Sequence, residues 1–412
     1  MQKFALIGKT LKHSYSKKIH ALLGSYDYDL VELEESELKD FVLRKEYKGF
    51  NVTIPYKKNI IPFLDEVDER AKKIGAVNTV VCKNGKLCGY NTDFDGMVYA
   101  LNSAKIEIKG KIVLILGSGG TSNTARAVAE FLGAKEIKIL SRSGEINYQN
   151  YFEKAKDAQV IINTTPVGMY PDNYSCLIEL SNFAKLEGVL DVVYNPAMTM
   201  LLNKAKELGI KHTNGLPMLV AQAKFASQLF LDKKLDDNLI ENIINKLNKE
   251  SQNLILIGMA GCGKTTIGKM ATDFLGKEFI DTDAVIEQKA GKTIPEIFAL
   301  EGEEYFRKLE SEVLSEVGKL SNKVISTGGG VVTKRENYFS LKQNGVIIWI
   351  KRDVDLLASD NRPLSKDRET IKNLYEKRKE SYSRFADGEV TNNDSLQSAV
   401  NKVVNFYENF SN

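Results

Sequence analysis

A chain of 412 residues, 43% hydrophobic and 27% charged, has the composition of an ordinary soluble protein and the length of two or three domains. Its 57 basic and 54 acidic residues are spread along the chain to a formal charge of +3, which argues against nucleic acid and points to small ligands. Four cysteines (Cys82, Cys88, Cys176, Cys262) without C-x-x-C spacing and three histidines argue against a zinc cluster; with no signal peptide and no apolar run of membrane length, a cytoplasmic protein is expected.

Residues 3–8 (K-F-A-L-I-G) predict a buried strand, and the loop after it sets Ser14 and Ser16 one residue apart in H-S-Y-S. The two hydroxyls either face one ligand or cap the helix that runs toward His20. A strand over 28–33 and an amphipathic helix (Leu38, Phe41, Val42) precede G-F-N-V-T-I-P-Y-K, an extended run broken by Pro55 that leaves Lys57 at a strand-to-helix corner. The β-rich runs V-N-T-V-V-C and L-C-G-Y-N-T-D flank Asn84-Gly85, the signal of a type I′ hairpin that would deliver Asn78 and Asp93. Taken alone, Asp93 also reads as the N-cap of a helix over 94–103.

From Lys111, K-I-V-L-I-L-G-S-G-G-T-S predicts a fully buried strand, a glycine turn and a helix. Gly117 permits the tight bend, and Gly119 and Gly120 let backbone approach a pyrophosphate; Ser118 and Thr121 belong to the same loop, and Ser122 replaces the last glycine of G-x-G-x-x-G. The next strand, E-I-K-I-L, ends in Ser141-Arg142-Ser143. An acid there reads the ribose of NAD, whereas an arginine suits a 2′-phosphate, so NADP(H) is expected. Strands over 159–163 and 189–193 continue the rhythm of a parallel α/β sheet and end in Asn163-Thr164-Thr165 and Tyr194-Asn195-Pro196, where such sheets bind ligands. A helix over 218–230 carries Gln222, either a ligand contact or a surface position, and a charged stretch leads on to residue 252.

There N-L-I-L-I empties into G-M-A-G-C-G-K-T, which fits G-x-x-x-x-G-K-[ST] with strand, loop and helix in order. Gly258, Gly261 and Gly263 let backbone N–H groups wrap phosphate oxygens; Cys262 and Thr266 fall in the same ATP-binding set. Lys264 would neutralise the outer phosphates and Thr265 would ligate Mg²⁺. E-F-I-D-T-D is expected to end a strand with Asp281 and Asp283 on one face, one holding Mg²⁺ through water and the other orienting or deprotonating an attacking hydroxyl. Arg307 follows on a helix, K-V-I-S-T runs into Gly328-Gly329-Gly330, the polar segment around Arg362 reads as a lid, and Arg378 lies on the helix beyond it.

In their order these motifs resemble two enzyme families joined in one chain. H-S-Y-S, N-V-T-I-P-Y-K, V-N-T, G-Y-N-T-D, G-S-G-G, N-T-T-P-V-G-M, D-V-V-Y-N-P and G-L-P-M-L-V-A-Q resemble shikimate dehydrogenase over residues 1–240. G-M-A-G-C-G-K-T-T-I-G, F-I-D-T-D, E-G-E-x-x-F-R, S-T-G-G-G, N-R-P-L and R-x-x-x-Y resemble shikimate kinase over residues 252–410. The resemblance implies an α/β fold throughout. An α/β substrate domain (1–103, with a helix over 231–248 returning to it) would precede a Rossmann-type NADP-binding domain (104–230), a helix and linker (231–251), and a P-loop α/β kinase domain with a parallel sheet (252–412).

It further implies that Ser14, Ser16, Thr53, Asn78, Tyr194 and Gln222 bind shikimate, that Lys57 and Asp93 are the proton-transfer pair, and that Val192 and Gly215 line the nicotinamide. In the second half Asp283, Arg307, Gly329 and Arg378 would hold shikimate, Asp281 and Thr265 would serve Mg²⁺, and Arg362 would close over ATP. The chain departs from the families at Lys9-Thr10 and Lys17, where prolines are usual, at Ser141-Arg142-Ser143 for Asn-Arg-Thr, and between Arg352 and Arg362, where a basic residue is missing. The expected activity is NADPH-dependent reduction of 3-dehydroshikimate to shikimate, then ATP-dependent phosphorylation to shikimate 3-phosphate, with no nucleic-acid or membrane partner. The rivals are a quinate-type reductase fused to a different small-molecule kinase, or to a nucleotide-sensing P-loop module.

Overall fold

Short runs of Ile, Leu and Val, too brief for buried helices, become the strands of three sheets in a computed structural model that describes residues 2–11, 14–357 and 368–410. The chain divides into two units, Met1–Lys246 and Leu247–Asn412. The first unit holds two sheets. Strands β1 (Lys3–Gly8), β2 (Asp27–Glu32), β3 (Gly49–Val52), β4 (Glu66–Val67), β5 (Thr79–Lys83) and β6 (Lys86–Tyr90) lie in the order β2-β1-β3-β5-β6-β4. β1 is parallel to β2 and β3, and β5 runs antiparallel to β3 and β6. Asn84 and Gly85 have φ of 51° and 79°, the left-handed pair that a type I′ turn requires, so the hairpin forms at the Asn-Gly signal.

The second sheet is wholly parallel: β7 (Ile112–Leu116), β8 (Glu136–Leu140), β9 (Val160–Asn163), β10 (Gly188–Asp191) and β11 (Lys211–Thr213), in the order β11-β10-β9-β7-β8. β7 leaves the sheet where the strand order reverses, the crevice that receives ligands in such folds. The helices Thr92–Ser103 and Leu216–Leu231 pack face to face. A Cβ on Gly96 would sit 2.6 Å from the Met218 carbonyl oxygen, so this close approach depends on glycine. Met97 and Leu101 of the first helix and Met218 of the second share a core with Val113, Ile115 and Leu190 of the parallel sheet. Ala226 and Phe230 instead join Phe4, Leu6 and Val81 of the first sheet. Helix Leu216–Leu231 is thus covered along most of its length, which accounts for its nearly unbroken apolar sequence.

The stretch expected as a helix over 231–248 plus a linker is different. Asp232 ends helix Leu216–Leu231 in a left-handed conformation, and a new helix runs from Asn238 to Ser251, two residues before the next strand. No glycine or proline interrupts residues 238–251, so nothing stops the helix where the charged residues suggested a linker.

The second unit is built on one parallel sheet, β12 (Asn253–Ile257), β13 (Glu278–Asp281), β14 (Lys323–Ser326), β15 (Gly345–Lys351) and β16 (Gly388–Thr391), ordered β13-β14-β12-β15-β16. β12 is central and buried, and it opens at the order reversal into the lysine-bearing glycine loop. Among the described residues no helix is long and apolar enough to cross a membrane.

Candidate active sites

In the first unit, the Lys57 ammonium donates to Asp93 Oδ2 at 2.5 Å, the two side chains being 25% and 14% exposed. Backbone bonds set this meeting up. The Lys57 carbonyl accepts from Val77 N–H (2.8 Å) and Asn78 N–H bonds to the Tyr90 carbonyl (3.0 Å), so the two ends of the hairpin hold Lys57 next to the start of helix Thr92–Ser103. The helix N-cap is Asn91, whose side chain accepts from Phe94 N–H, so Asp93 is not the cap; it lies in the first turn with its carboxylate directed to Lys57.

Asn78 is buried and hydrogen-bonded through both of its side-chain polar atoms. Its Oδ1 accepts from Thr92 N–H at 2.7 Å and from the Thr79 hydroxyl at 3.1 Å, and its Nδ2 donates to Thr92 Oγ1 and, at 3.5 Å, to Gln222 Oε1. Gln222 therefore faces Asn78, the residue before β5, rather than occupying a free surface. Thr53 continues directly from β3, its N–H bonded to the Ile7 carbonyl. Ser14 Oγ accepts the Ser16 N–H at 3.2 Å, as a capping turn does, while the Tyr15 ring between them lies 5.7 Å from the Tyr194 ring. This ring contact joins the serine loop to the loop after β10. Burial, and then Tyr15, raises the Tyr194 phenol above its ordinary range.

The glycine turn after β7 has the geometry a dinucleotide needs. Gly117 has φ 108°, and a Cβ there would lie 2.9 Å from Thr164 Oγ1, so the turn is pressed against the end of β9. Ser118, Gly119 and Gly120 are exposed, and a Cβ on either glycine would meet nothing within 4 Å; that surface is open to a ligand. Gly117 N–H bonds to the Leu140 carbonyl, which puts Ser141 and Arg142 beside the turn, and Arg142 is exposed. Gly215 is pressed on Val192: a Cβ would fall 2.0 Å from the Val192 carbonyl oxygen. Beneath them lies Asp191, wholly buried, accepting from Thr199 Oγ1 (2.7 Å), Asn163 Nδ2 (2.9 Å) and Val193 N–H (3.0 Å). Burial pushes its carboxyl up to about 6.

In the second unit a cavity of about 500 Å³ gathers Gly261, Gly263, Lys264, Thr265, Thr266, Asp281, Asp283, Arg307, Gly329 and Arg378. Gly258, Gly261 and Gly263 all have positive φ, and Lys264 Nζ donates to the carbonyls of Gly258 and Met259 at 2.9 Å, drawn across the loop. Cys262 is buried under this loop. Thr265 Oγ1 donates to Asp281 Oδ2 at 2.8 Å, and the other oxygen of Asp281 caps the Asp283 N–H. The expectation that Asp281 and Asp283 share a strand face is wrong. β13 stops at Asp281, and Asp283 sits in the first turn of helix Thr282–Ala290; the helix turn, not strand alternation, brings both to the cavity.

Arg307 is fixed between Glu310 (2.8 Å) and Glu303 (3.2 Å), and a Cβ on Gly330 would collide with its guanidinium. Arg378 donates to the Gly329 carbonyl at 3.2 Å, which the Tyr382 hydroxyl also reaches. Arg362 lies outside the described residues.

Three residues of these sites escape a motif-by-motif reading. Glu310, 1% exposed and raised by burial against the pull of Arg307, stands three residues past Arg307 on one helix, a spacing that puts both on one face. Asp191 is the charged end of an apolar strand. Arg352, at the end of β15, lines the cavity. Among the described residues no group of three His, Cys, Asp or Glu side chains is placed to hold a metal.

Known proteins match each half. A family model described as shikimate dehydrogenase substrate binding domain matches residues 6–80, and one described as shikimate kinase matches residues 260–408. An NADP⁺ shikimate dehydrogenase of Clostridium perfringens is 37% identical over 267 residues, 60% of this chain and 98% of its own; one from Methanococcus maripaludis is 40% identical over 269 residues, 58% and 95%. Among solved structures, a chorismate mutase/shikimate 5-dehydrogenase fusion from Clostridium acetobutylicum superposes with TM-score 0.58 at 34% identity, over 60% of this chain and 98% of that one. The Thermus thermophilus shikimate 5-dehydrogenase, solved with NADP(H) and shikimate, gives 0.54 at 30% identity, over 60% and 99%.

Proposed function

We propose a division of labour among named residues for this chain, which belongs to the shikimate dehydrogenase family and carries a shikimate kinase domain behind it. The protein is a bifunctional shikimate-pathway enzyme, an NADP-dependent dehydrogenase and an ATP-dependent kinase. In our reading it works in the direction 3-dehydroshikimate to shikimate to shikimate 3-phosphate, with residues 1–103 and the helix after residue 237 forming the substrate domain, 104–230 the NADP domain and 252–412 the kinase. Cytoplasm is the compartment we assign, since the four cysteines are unpaired, as suits a reducing compartment.

In the first unit, Ser14, Ser16, Thr53, Asn78, Tyr194 and Gln222 bind the hydroxyls and carboxylate of the substrate. Gly119, Gly120, Val192 and Gly215 would hold NADPH, which would supply hydride to one face of the carbonyl carbon. Lys57 gives a proton to the carbonyl oxygen, and Asp93 holds the ammonium in line at 2.5 Å. The network on Asp191 fixes the floor of the nicotinamide pocket. Arg142 takes the 2′-phosphate, because it is exposed beside the turn with no ion pair among the described residues.

In the second unit, Arg307 and Arg378 take the shikimate carboxylate and Asp283 orients the hydroxyl. The glycine loop and Lys264 hold the ATP phosphates. Thr265 and Asp281, 2.8 Å apart, suit Mg²⁺, a cation that asks for one or two oxygen ligands and keeps its water; it would neutralise charge on the transferred group. One observation carries the reading: acceptor-side residues (Asp283, Arg307, Gly329, Arg378) and phosphate-side residues (Lys264, Thr265) line a single cavity. The test is to incubate the chain with 3-dehydroshikimate, NADPH and ATP·Mg²⁺ and identify products by mass. Shikimate 3-phosphate is expected; accumulation of shikimate with no ATP consumed would overturn the kinase half.

A further inference from the structure

Arg352 is the first residue past β15, and β15 lies beside β12, so its side chain emerges next to the glycine loop that β12 feeds. How close the two elements run is measured by Gly258, where a Cβ would lie 2.4 Å from the Ile350 carbonyl oxygen. Lys351 is already committed, with its ammonium 3.2 Å from Glu389 and over the Trp349 ring. Arg352 points the other way, into the cavity that holds Gly261, Lys264 and Thr266.

The backbone around it is fixed on both sides. The Lys351 carbonyl accepts from Asn392 N–H at 2.8 Å, and Asp353 N–H donates to Asn393 Oδ1 at 2.9 Å. Asn392 also reaches the loop, donating to the Cys262 carbonyl at 2.9 Å. The guanidinium itself is nearly idle. Nη1 makes one long contact, 3.5 Å, to the Gly261 carbonyl; Nε is buried without a hydrogen-bond partner, and no carboxylate among the described residues pairs with it. A buried guanidinium N–H without an acceptor is costly unless something supplies one. The other cavity cations are otherwise placed: Arg307 is held by two glutamates, Arg378 by the Gly329 carbonyl, and Lys264 lies across the loop.

We propose that Arg352 is a nucleotide-binding residue that takes a phosphate oxygen of the bound nucleoside triphosphate, completing on the β15 side the cradle that the glycine loop forms. The inference rests on the kinase reading of this cavity. The planar fork matches phosphate geometry, the cavity brings phosphate within reach of the loop, and the pinned backbone means that little ordering is left to do on binding.

The test uses the full chain with Arg352→Met, which keeps the stem and deletes the charge, and Arg352→Lys. Calorimetric Kd values are measured for MgADP and inorganic tripolyphosphate, the ratio of ATP to GTP affinity is taken, and KM for ATP and for shikimate are compared. Arg352→Met should weaken MgADP and tripolyphosphate about tenfold or more, the scale of one charge-assisted bond, with the ATP-to-GTP ratio and the shikimate KM unchanged within twofold. Arg352→Lys should recover part of the loss.

Unchanged polyphosphate binding in Arg352→Met overturns the proposal. So does a loss confined to ATP over GTP, which would make the contact one with the base. A parallel loss of shikimate affinity and of thermal stability would make Arg352 a brace for the loop through Gly261. If the unmodified chain binds MgADP but does not phosphorylate shikimate, the kinase reading fails while the phosphate contact is still measured directly.

Discussion

Removing either half of the Lys57–Asp93 pair should cost nearly as much as removing both. The two groups share one short bond, 2.5 Å, at a site from which solvent is mostly kept, and no second base or acid bonds to either side chain among the described residues. A positioned proton donor contributes ~10²–10⁴ in rate, or about 3–5.5 kcal/mol at 1.36 kcal/mol per tenfold. Lys57→Met should lose that factor in kcat for shikimate oxidation, followed as NADPH absorbance. Asp93→Asn keeps the volume but leaves the ammonium unaimed, so its loss should fall in the same range. If the pair acts as one unit, the double variant should be within about threefold of the worse single variant, whereas independent roles would multiply to ~10⁴–10⁸. The same preparations should phosphorylate added shikimate at the unmodified rate, which controls for folding. Additive losses, or a rise in KM with kcat intact, would refute a shared proton path and leave Lys57 a binding residue.

Asp283→Asn should do the reverse, lowering kinase turnover by ~10²-fold or more while reduction continues; loss of both activities in a protein that keeps its circular dichroism would show the sites to be coupled. Arg142→Ala should lower kcat/KM far more with NADPH than with NADH, and an equal loss would make Arg142 a structural residue. His20 is wholly buried, stacked on Tyr28 at 3.9 Å and bonded to the Tyr26 hydroxyl, and burial pushes its imidazole down to about 3. The unfolded chain takes up that proton below about 6.5 and the folded chain does not, so the contribution to stability is complete above 6.5 and is lost as pH falls toward 3. At pH 5 the loss is about 2 kcal/mol, from a gap of about 1.5 units between pH and the unfolded value. Nuclear magnetic resonance of the imidazole protons checks this, and a His20 signal that titrates near 6.5 would refute it.

The parts of both sites that were legible in the sequence are those in which conformation is a local matter. Asn84-Gly85 can hardly turn any other way, Gly117 and Gly263 mark positions of positive φ, and both glycine loops sit where a buried strand ends. Where local rules were pushed further they failed in an instructive way. Period-two alternation does not reach Asp283, which lies two residues past the end of β13 and owes its position to the first turn of helix Thr282–Ala290. The charged residues near 249 suggest a linker, but nothing there breaks a helix, and the helix runs on to Ser251.

What stayed hidden depends on approaches between distant segments. Gln222 gains its meaning only because Gly96 lets two helices touch, which turns a possible surface position toward Asn78, 144 residues earlier. Glu310 was within reach of helical spacing, since the i,i+3 rule puts it beside Arg307, but its burial comes from packing that composition does not report. Arg352 gave no signal at all: a lone arginine after a strand is ordinarily a solvated charge, and only the adjacency of β15 and β12, with their neighbouring exits, makes it face a phosphate loop. Strand order is therefore the quantity that converts motifs into a site in this chain. It is set by crossover connections rather than by any short stretch of residues, and the reversal beside β7 and that beside β12 each place a glycine loop at the mouth of a crevice whose other walls come from remote sequence.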